Sequence, residues 1–328
     1  MQDKITLEEH FLLPGSYATT FHPPGISADV WKRIEARLLD VERERLPLMD
    51  RHGIAMQIVS LTANGIQAET DARVAVAHAR EANDWLAEKF IARHPRRFGG
   101  FAAVALQDPQ AAAAEAERAV EELGFLGVLV NGYVNAGDGE HAEYLDLPKF
   151  EPFWERVEAL GVPVYLHPRA PLPSQRVIYE GHEELMGPMW AFGAETAAHA
   201  LRLITSGLFD RHPRQQLILG HLGEGLVAMI ARAQRRFEYA SCGKILKKPL
   251  GAYLRQHFYI TTSGNFHTPT LRNVIEEMGV ERVMFSVDYP YESIAEGAEW
   301  FDACPLEPAD ARQIGRENAR RVLGVGEA

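Results

Sequence analysis

Glu8 and His10 stand two positions apart in the run ITLEEHF, near the start of the chain. The run reads as a β-strand, and a strand projects residues i and i+2 from the same face. A carboxylate and an imidazole, both common metal ligands, would then lie side by side, with Glu9 on the opposite face. A single Glu-x-His match is also typical of a surface strand with a polar face, so the rest of the chain must decide.

Later apolar runs also end in polar residues that could take part in chemistry. These residues are Asn131, His167, His221 and Asp288. His167 and Asp288 would add a second imidazole and a second carboxylate to the pair on the first strand. Two nitrogen and two oxygen ligands suit one divalent cation and leave positions open for substrate or water. His221 would then act beside the metal as a base or a hydrogen-bond donor.

Glu224 lies three residues after His221 in the segment GHLGEG, and two roles are open for it. If the following helix begins at Gly223, the carboxylate lies in the first helical turn, where an acid is electrostatically favoured. The alternative is a role in the site beside His221. The sequence does not separate these alternatives.

Eight apolar runs must position these side chains. They span 4–11, 55–61, 98–106, 126–132, 162–168, 216–223, 258–264 and 282–290. Their near-continuous hydrophobicity is typical of strands buried on both faces of a parallel sheet, and helical patterns lie between them. Because no linker interrupts the pattern, we predict one (β/α)8 barrel domain over 1–328, with a doubly wound sheet as the alternative. Carboxyl ends of barrel strands meet at one mouth, so the polar residues would meet there too.

Two predicted connections are unusually long, 12–40 after the first strand and 168–195 after the fifth. Connections of this length are commonly functional when they are ordered. Their aromatic residues, among them Phe21 and Trp190, would wall a ring-shaped ligand. Local packing, or packing against a second subunit, is the alternative for these side chains.

The composition limits the possible partners. Of 328 residues, 46% are hydrophobic and 24% are charged, which is ordinary for a globular protein. The net charge of −11 argues against nucleic acid, whose binding relies on clustered Lys and Arg. No apolar run approaches the ~20 residues of a membrane span, and no signal-peptide pattern is seen. Cys242 and Cys304 form no CxxC pair, so we expect a reducing, cytoplasmic location.

Five motifs, in order over nearly the whole chain, resemble the amidohydrolase superfamily. They are LEEHF, VYLHPR, GHLGEG, YITTSG and FSVDYPYE. LVNG, FWERVEALGVPVYLHPR and SGLFDRHP narrow the resemblance to the metal-dependent, non-oxidative aromatic acid decarboxylases of that superfamily. The resemblance implies one divalent metal, with Mn2+ favoured and Zn2+ or Mg2+ as alternatives, and no organic cofactor. It also implies a homo-oligomer, either a tetramer or a dimer.

The same resemblance implies roles for individual residues. The metal ligands would be Glu8, His10, His167 and Asp288. Asp288 would also deliver a proton to the substrate ring, with His221 and Glu224 as a pair beside the metal. The resemblance also implies that Asn131 and Arg232 contact substrate. Apart from the resemblance, the further predicted substrate contacts are Phe21, His22, Trp190 and Tyr291. Arg232 matches an arginine that reaches substrate in related enzymes, sometimes across a subunit interface, and a plain surface arginine is its alternative.

Two positions separate a decarboxylase from a hydrolase, its main rival. Many hydrolases of the superfamily carry a carboxylated lysine at the end of strand four that bridges two metals, and this chain has Asn131 there. The first strand carries Glu-x-His where typical hydrolases have His-x-His. We therefore predict reversible decarboxylation of an ortho-hydroxybenzoate, with 2,6-dihydroxybenzoate (γ-resorcylate) to resorcinol as the leading candidate. A mononuclear hydrolase of a lactone, ester or amide is the alternative.

The substrate within the decarboxylases stays open. His10 favours the γ-resorcylate type, since the fungal 2,3-dihydroxybenzoate type has a small residue at that position. The segments DYPYE and KKPLG are instead more similar to the 2,3-dihydroxybenzoate type. Salicylate, orsellinate and 5-carboxyvanillate are further alternatives, and all of them carry a hydroxyl ortho to the carboxylate.

Overall fold

Eight parallel strands form the centre of the molecule, in a computed structural model that describes residues 1–15, 26–137 and 140–326. The strands are β1 (Lys4–Phe11), β2 (Ile54–Leu61), β3 (Phe98–Ala102), β4 (Gly127–Asn131), β5 (Val164–His167), β6 (Leu217–Leu219), β7 (Phe258–Thr261) and β8 (Val283–Met284). Each pairs in parallel with its neighbours in chain order from β1 to β8. Helices separate consecutive strands, so the predicted (β/α)8 barrel is confirmed.

Thirteen α-helices occur among the described residues. They are α1 (Ala28–Leu38), α2 (Arg45–Arg51), α3 (Ala72–Leu86), α4 (Pro109–Glu121), α5 (Glu151–Leu160), α6 (Ala191–Thr205), α7 (Leu208–Arg211), α8 (Leu226–Tyr239), α9 (Leu250–His257), α10 (Thr268–Met278), α11 (Ile294–Ala303), α12 (Pro308–Arg312) and α13 (Asn318–Leu323). An antiparallel hairpin of Val134–Ala136 and His141–Glu143 follows β4. No helix in these three described stretches is long and apolar enough to cross a membrane.

Local sequence signals explain where helices begin. Asp108 accepts hydrogen bonds from the backbone amides of Gln110 and Ala111, both at 3.1 Å, and Pro109 is the first residue of α4. An acid at the N-cap followed by proline is a favourable start because it satisfies amides that have no partner inside the helix. Gly124, just beyond the helix, has φ +71° and lets the chain turn towards β4.

The strands separate two apolar cores. Inside the barrel, the lumen is filled by side chains such as Leu129, Tyr165, Ile218 and Met284. A larger core lies between the outer faces of the strands and the helices. Burial on both faces explains why the strands read as continuous apolar runs in the sequence.

A β-bulge in β1 determines which side chains face the lumen. Thr6 and Glu9 are three positions apart, yet they pair with residues of β2 that are only two positions apart. Such an extra residue re-aims the side chains around it and often lies next to an active site. Leu7 therefore belongs to the lumen core, and Glu8, the next residue, also reaches the lumen, where Tyr165 donates a hydrogen bond to it.

Several elements differ in extent from the predictions. β8 ends at Met284, although its apolar run continues to residue 290, because side-chain partners replace strand pairing after that point. The long connection after β5 contains two 3-10 segments, Pro173–Tyr179 and Glu183–Met186, and α6 begins at Ala191. α8 begins at Leu226 rather than at Gly223.

Candidate metal centre

Four of the predicted side chains meet at the carboxyl end of the barrel. One ligand atom from each of Glu8, His10, His167 and Asp288 lies within 4.8 Å of the others. His10 Nε2 lies 3.1 Å from Asp288 Oδ1, and His167 Nε2 lies 3.4 Å from Glu8 Oε1. Glu8 and His10 are fully buried, and the other two side chains are nearly so. The structure thus brings together two nitrogens and two carboxylates that are distant in the sequence.

Neighbouring polar groups orient the two imidazoles. His167 donates its Nδ1 proton to Asn131 Oδ1 at 2.8 Å, and Ser60 Oγ lies 3.3 Å from His10 Nδ1. Partners of this kind fix the ring and its tautomer, so that Nε2 is presented to a metal. Asn131 was expected to contact substrate; its side-chain oxygen contacts the predicted ligand His167, and the substrate contact stays a prediction.

The side chains that hold Glu8 are not among the predicted site residues. Tyr165 donates a hydrogen bond to Glu8 Oε2, and Thr261 Oγ1 lies 3.3 Å from the same oxygen. Gly220 leaves room for the carboxylate, since a Cβ at that position would lie 2.5 Å from Oε2. Tyr165 precedes His167 by two positions on β5, so the alternation of the strand could have identified it.

Burial and charge set the protonation of the ligands. Burial holds the pKa of His167 well below its usual range, and the nearby His10 lowers it further, so the ring is neutral. Burial raises the pKa of Glu8, and the charge of His221 opposes that rise. Burial also raises the pKa of Asp288, but the close approach of His10 and His221 outweighs it and brings the pKa to about 2. Neutral imidazole and ionised carboxylate are the forms that bind metals.

His221 and Glu224 form a pair beside the four ligands. His221 Nδ1 lies 2.6 Å from Glu224 Oε1, and His221 Nε2 lies 3.5 Å from Asp288 Oδ2. Burial alone would lower the pKa of His221, but the charges of Glu224 and Glu8 raise it well above its usual range. Because α8 begins at Leu226, Glu224 lies outside its first turn, and of its two alternatives the structure favours the one beside His221.

The backbone adopts an uncommon conformation at this pair. His221, Leu222 and Glu224 have φ of +50°, +56° and +55°, and Asp288 has φ +79°. Left-handed conformations cost a residue other than glycine about 1–3 kcal/mol, and such residues cluster at functional sites. His221, which approaches Asp288 Oδ2, and Glu224, which contacts His221, therefore both depend on a strained turn after β6.

The remaining predicted substrate contacts differ in where they lie. The ring of Tyr291 is 5.8 Å from that of His10, and its hydroxyl hydrogen bonds to Thr62. Trp190 is 63% exposed, and Arg232 is exposed on α8, so a role for either at the substrate stays a prediction. Phe21 and His22 lie outside the described residues.

Comparison with known proteins places this geometry in a family. The amidohydrolase family model matches residues 20–325. A γ-resorcylate decarboxylase from a Rhizobium species is 49% identical over 325 residues, which cover 98% of each chain. The structure of a 2,6-dihydroxybenzoate decarboxylase complexed with 2,6-dihydroxybenzoate has a TM-score of 0.95 at 49% identity, and covers 99% of this chain and 100% of that one.

A third relative carries a metal. The structure of a dihydroxybenzoic acid decarboxylase from a Polaromonas species, with bound manganese and the inhibitor 2-nitroresorcinol, has a TM-score of 0.95 at 46% identity. The alignment covers 100% of this chain and 98% of that one. The chain therefore belongs to the amidohydrolase superfamily, among its aromatic acid decarboxylases, which are carboxy-lyases.

Proposed function

We propose that the chain catalyses the reversible, non-oxidative decarboxylation of 2,6-dihydroxybenzoate to resorcinol and CO2. The observation that carries the proposal is the convergence of four metal-binding side chains, with His221 beside Asp288, at the mouth of the barrel. The 49% identity to a γ-resorcylate decarboxylase over nearly the whole chain supports this substrate. Relatives bound to 2,6-dihydroxybenzoate and to 2-nitroresorcinol support the same ring pattern.

The ligand atoms fit one divalent cation. Glu8 Oε1, His10 Nε2 and Asp288 Oδ1 are each buried without a hydrogen-bond partner. Buried polar atoms normally have partners, and an ion is one explanation where they do not. Two imidazole nitrogens and two carboxylate oxygens suit Mn2+ or Zn2+ better than Mg2+, which is bound mainly by oxygen. We favour Mn2+ because a relative binds manganese, and we propose no organic cofactor.

An ortho hydroxyl makes the chemistry possible. Direct loss of CO2 from a benzoate leaves a carbanion in the ring plane, which the π system cannot stabilise. The ortho oxygen instead pushes electron density onto the carbon that bears the carboxylate, so that this carbon takes up a proton before CO2 leaves. When bound, the cation would hold and polarise a substrate whose carboxylate and phenolic oxygens both face it.

Asp288 is the proposed proton carrier. Its lowered pKa leaves it ionised before substrate binds, which is the form that would accept the proton of the ortho hydroxyl. It then donates that proton to the ring carbon that bears the carboxylate. The new C–H bond forms, the C–C bond to the carboxylate breaks, and its electron pair returns to the ring. Solvent finally protonates the phenolate product.

His221 balances the negative charge of this step. It is protonated, because the charge of Glu224 and of Glu8 keeps its pKa well above the usual range against the effect of burial. Its Nε2 lies 3.8 Å from Glu8 Oε1 and 3.5 Å from Asp288 Oδ2. A fixed positive charge at this place stabilises the anionic oxygen of the substrate without reorganisation.

A substrate panel tests the proposal. Loss of ultraviolet absorbance would be followed for 2,6- and 2,3-dihydroxybenzoate, salicylate, orsellinate and 5-carboxyvanillate, with and without Mn2+. We expect 2,6-dihydroxybenzoate to turn over fastest and 4-hydroxybenzoate not at all, because its hydroxyl is remote from the carboxylate. Asp288→Asn should abolish turnover, with metal content measured in parallel because the change also alters a ligand. Hydrolysis of lactones, esters or amides, with no CO2 from any acid, would contradict the proposal.

We also propose that the chain forms a homo-oligomer, a dimer or a tetramer. The connection between β5 and α6 exposes four large apolar side chains, Val177 (70%), Ile178 (75%), Met189 (68%) and Trp190 (63%). Large exposed apolar side chains are often found at protein interfaces. A partner subunit would cover Trp190 and would give Arg232 a route to the substrate of its neighbour.

A further inference from the structure

The barrel closes between β8 and β1 largely through side chains. In the described chain the sequence of hydrogen-bonded strands begins at β1 and ends at β8. Ser286 Oγ, just after β8, accepts hydrogen bonds from the amides of Leu7 and Glu8, at 2.9 and 2.8 Å. These two residues form the bulge of β1, so the hydroxyl replaces the backbone partners that the bulge removes. The separation of the two strands therefore depends on side-chain contacts.

Glu9 joins β1 to the segment after β8, from the opposite face of β1. Its Oε1 accepts hydrogen bonds from Ser286 Oγ and from the amide of Val287, both at 3.2 Å. Its Oε2 accepts one from the amide of Tyr289 at 3.0 Å. The side chain is fully buried, and three donors converge on one carboxylate. Three contacts to one buried side chain fix its position between β1 and the segment after β8.

Both amides that Glu9 holds flank Asp288. Asp288 has φ +79°, a conformation that is unfavourable for its type and persists only where neighbouring contacts enforce it. A third link, from the His10 amide to the Tyr289 carbonyl at 2.8 Å, ties the end of β1 to the same turn. Glu9 thus connects the strand that carries two predicted ligands to the turn that carries another.

We propose that Glu9 is a positioning residue that sets the place of Asp288 relative to Glu8 and His10. It controls metal affinity, because the ligands of β1 and the loop after β8 must reach one ion together. It also controls turnover, because Asp288 must reach the ring carbon of the substrate. The proposal rests on the metal site and the role of Asp288 given under the proposed function. Residues that orient metal ligands typically change metal affinity or activity 10–100-fold when replaced.

Glu9→Gln tests the inference, with Glu115→Gln as the matched control. Glutamine keeps the size of the side chain, but its NH2 group is a donor. It would face one of the two backbone N–H donors and could not accept that hydrogen bond. Glu115, on helix α4 of the outer layer, is another buried glutamate. It accepts a hydrogen bond from Asn83 of α3 and forms an ion pair with Arg118 of its own helix. Mn2+ binding would be measured from the electron paramagnetic resonance signal of free Mn2+, and kcat and KM at saturating Mn2+.

We expect Glu9→Gln to weaken Mn2+ binding about 10–100-fold and to lower kcat at saturating Mn2+ more than it raises KM. Glu115→Gln should bind Mn2+ as the parent does. Parent-like Mn2+ affinity and kcat in Glu9→Gln, or an equal loss in Glu115→Gln, would overturn the inference. If Glu9→Gln does not fold, Glu9→Asp replaces it, with about a 10-fold loss expected because the shorter side chain reaches only one amide. Parent-like binding in that variant would overturn the inference.

Glu8→Gln separates this inference from the metal site on which it rests. If the parent binds Mn2+ and Glu8→Gln does not, the site stands, and the Glu9 variants test positioning alone. If Glu8→Gln binds Mn2+ as tightly as the parent, the assigned ligands are wrong. The positioning role would then fall with them, whatever the Glu9 variants show.

Discussion

At the scale of single residues, His167 donates its Nδ1 proton to Asn131, whose backbone amide in turn donates to Gln67 Oε1 at 3.1 Å. Asn131 Nδ2 is confined as well, since a Cβ at Gly65 would lie 2.2 Å from it. The asparagine is therefore held by a hydrogen bond at its side-chain oxygen and packs closely against Gly65 at its nitrogen. Such confinement suits a residue that fixes the orientation of a ligand more than one that adapts to substrate.

Asn131→Ala should accordingly weaken Mn2+ binding about 10-fold or more, because His167 loses the acceptor that fixes its tautomer. Titration with Mn2+ checks this, and Asn135→Ala is the control, since Asn135 lies in the following hairpin and donates to Ala68 O. Unchanged Mn2+ affinity with a raised KM would contradict the orienting role. It would instead support the substrate contact that the sequence resemblance implied.

At the scale of elements, helix α6 leaves room for the site at one position, where it carries a glycine. A Cβ at Gly193, in its first turn, would lie 2.9 Å from Glu224 Oε2. Glycine inside a helix costs about 1 kcal/mol relative to alanine. Its presence here therefore gives room to the carboxylate that contacts His221 Nδ1.

Gly193→Ala should lower kcat about 10-fold without lowering the melting temperature. The added methyl displaces the end of the Glu224 side chain and weakens its contact with His221, while alanine favours the helix. The same change at Gly251 in α9 is the control, since a Cβ there meets nothing closer than 3.5 Å. A normal kcat, or a loss that Gly251→Ala shares, would show that Glu224 is not constrained by α6.

The sequence predicts the eight strands and the residues at their ends. Buried strands read as local apolar runs, and the carboxyl ends of barrel strands meet at one mouth. His167 and Asn131, at or next to the ends of paired strands, follow directly from this. The start of α8 cannot be predicted in this way. The left-handed conformations at His221 and Glu224 delay the helix until Leu226, and nothing in the local sequence pattern signals them. The partners of Glu8 and Glu9 come from other strands, so only the closed barrel identifies them.

At the scale of the whole molecule, the exposed apolar side chains of the β5–α6 connection bear on assembly. A stable interface buries roughly 800 Å2 on each partner, usually around large apolar residues. Ile178, at 75% exposure, and Trp190 supply such residues in one segment. Arg232, exposed on α8, has a substrate role across an interface only if the chains associate.

Light scattering of the purified chain should give two or four times the mass of one subunit. Ile178→Asp should reduce that mass, because a buried charge without a partner at an interface is costly. Val74→Asp is the control, as Val74 is 38% exposed on α3, the helix that follows β2 rather than β5. A parent that remains a monomer at working concentration would refute self-association and remove any role for Arg232 across an interface. If the parent associates and Ile178→Asp keeps its mass, the interface lies on another face of the barrel.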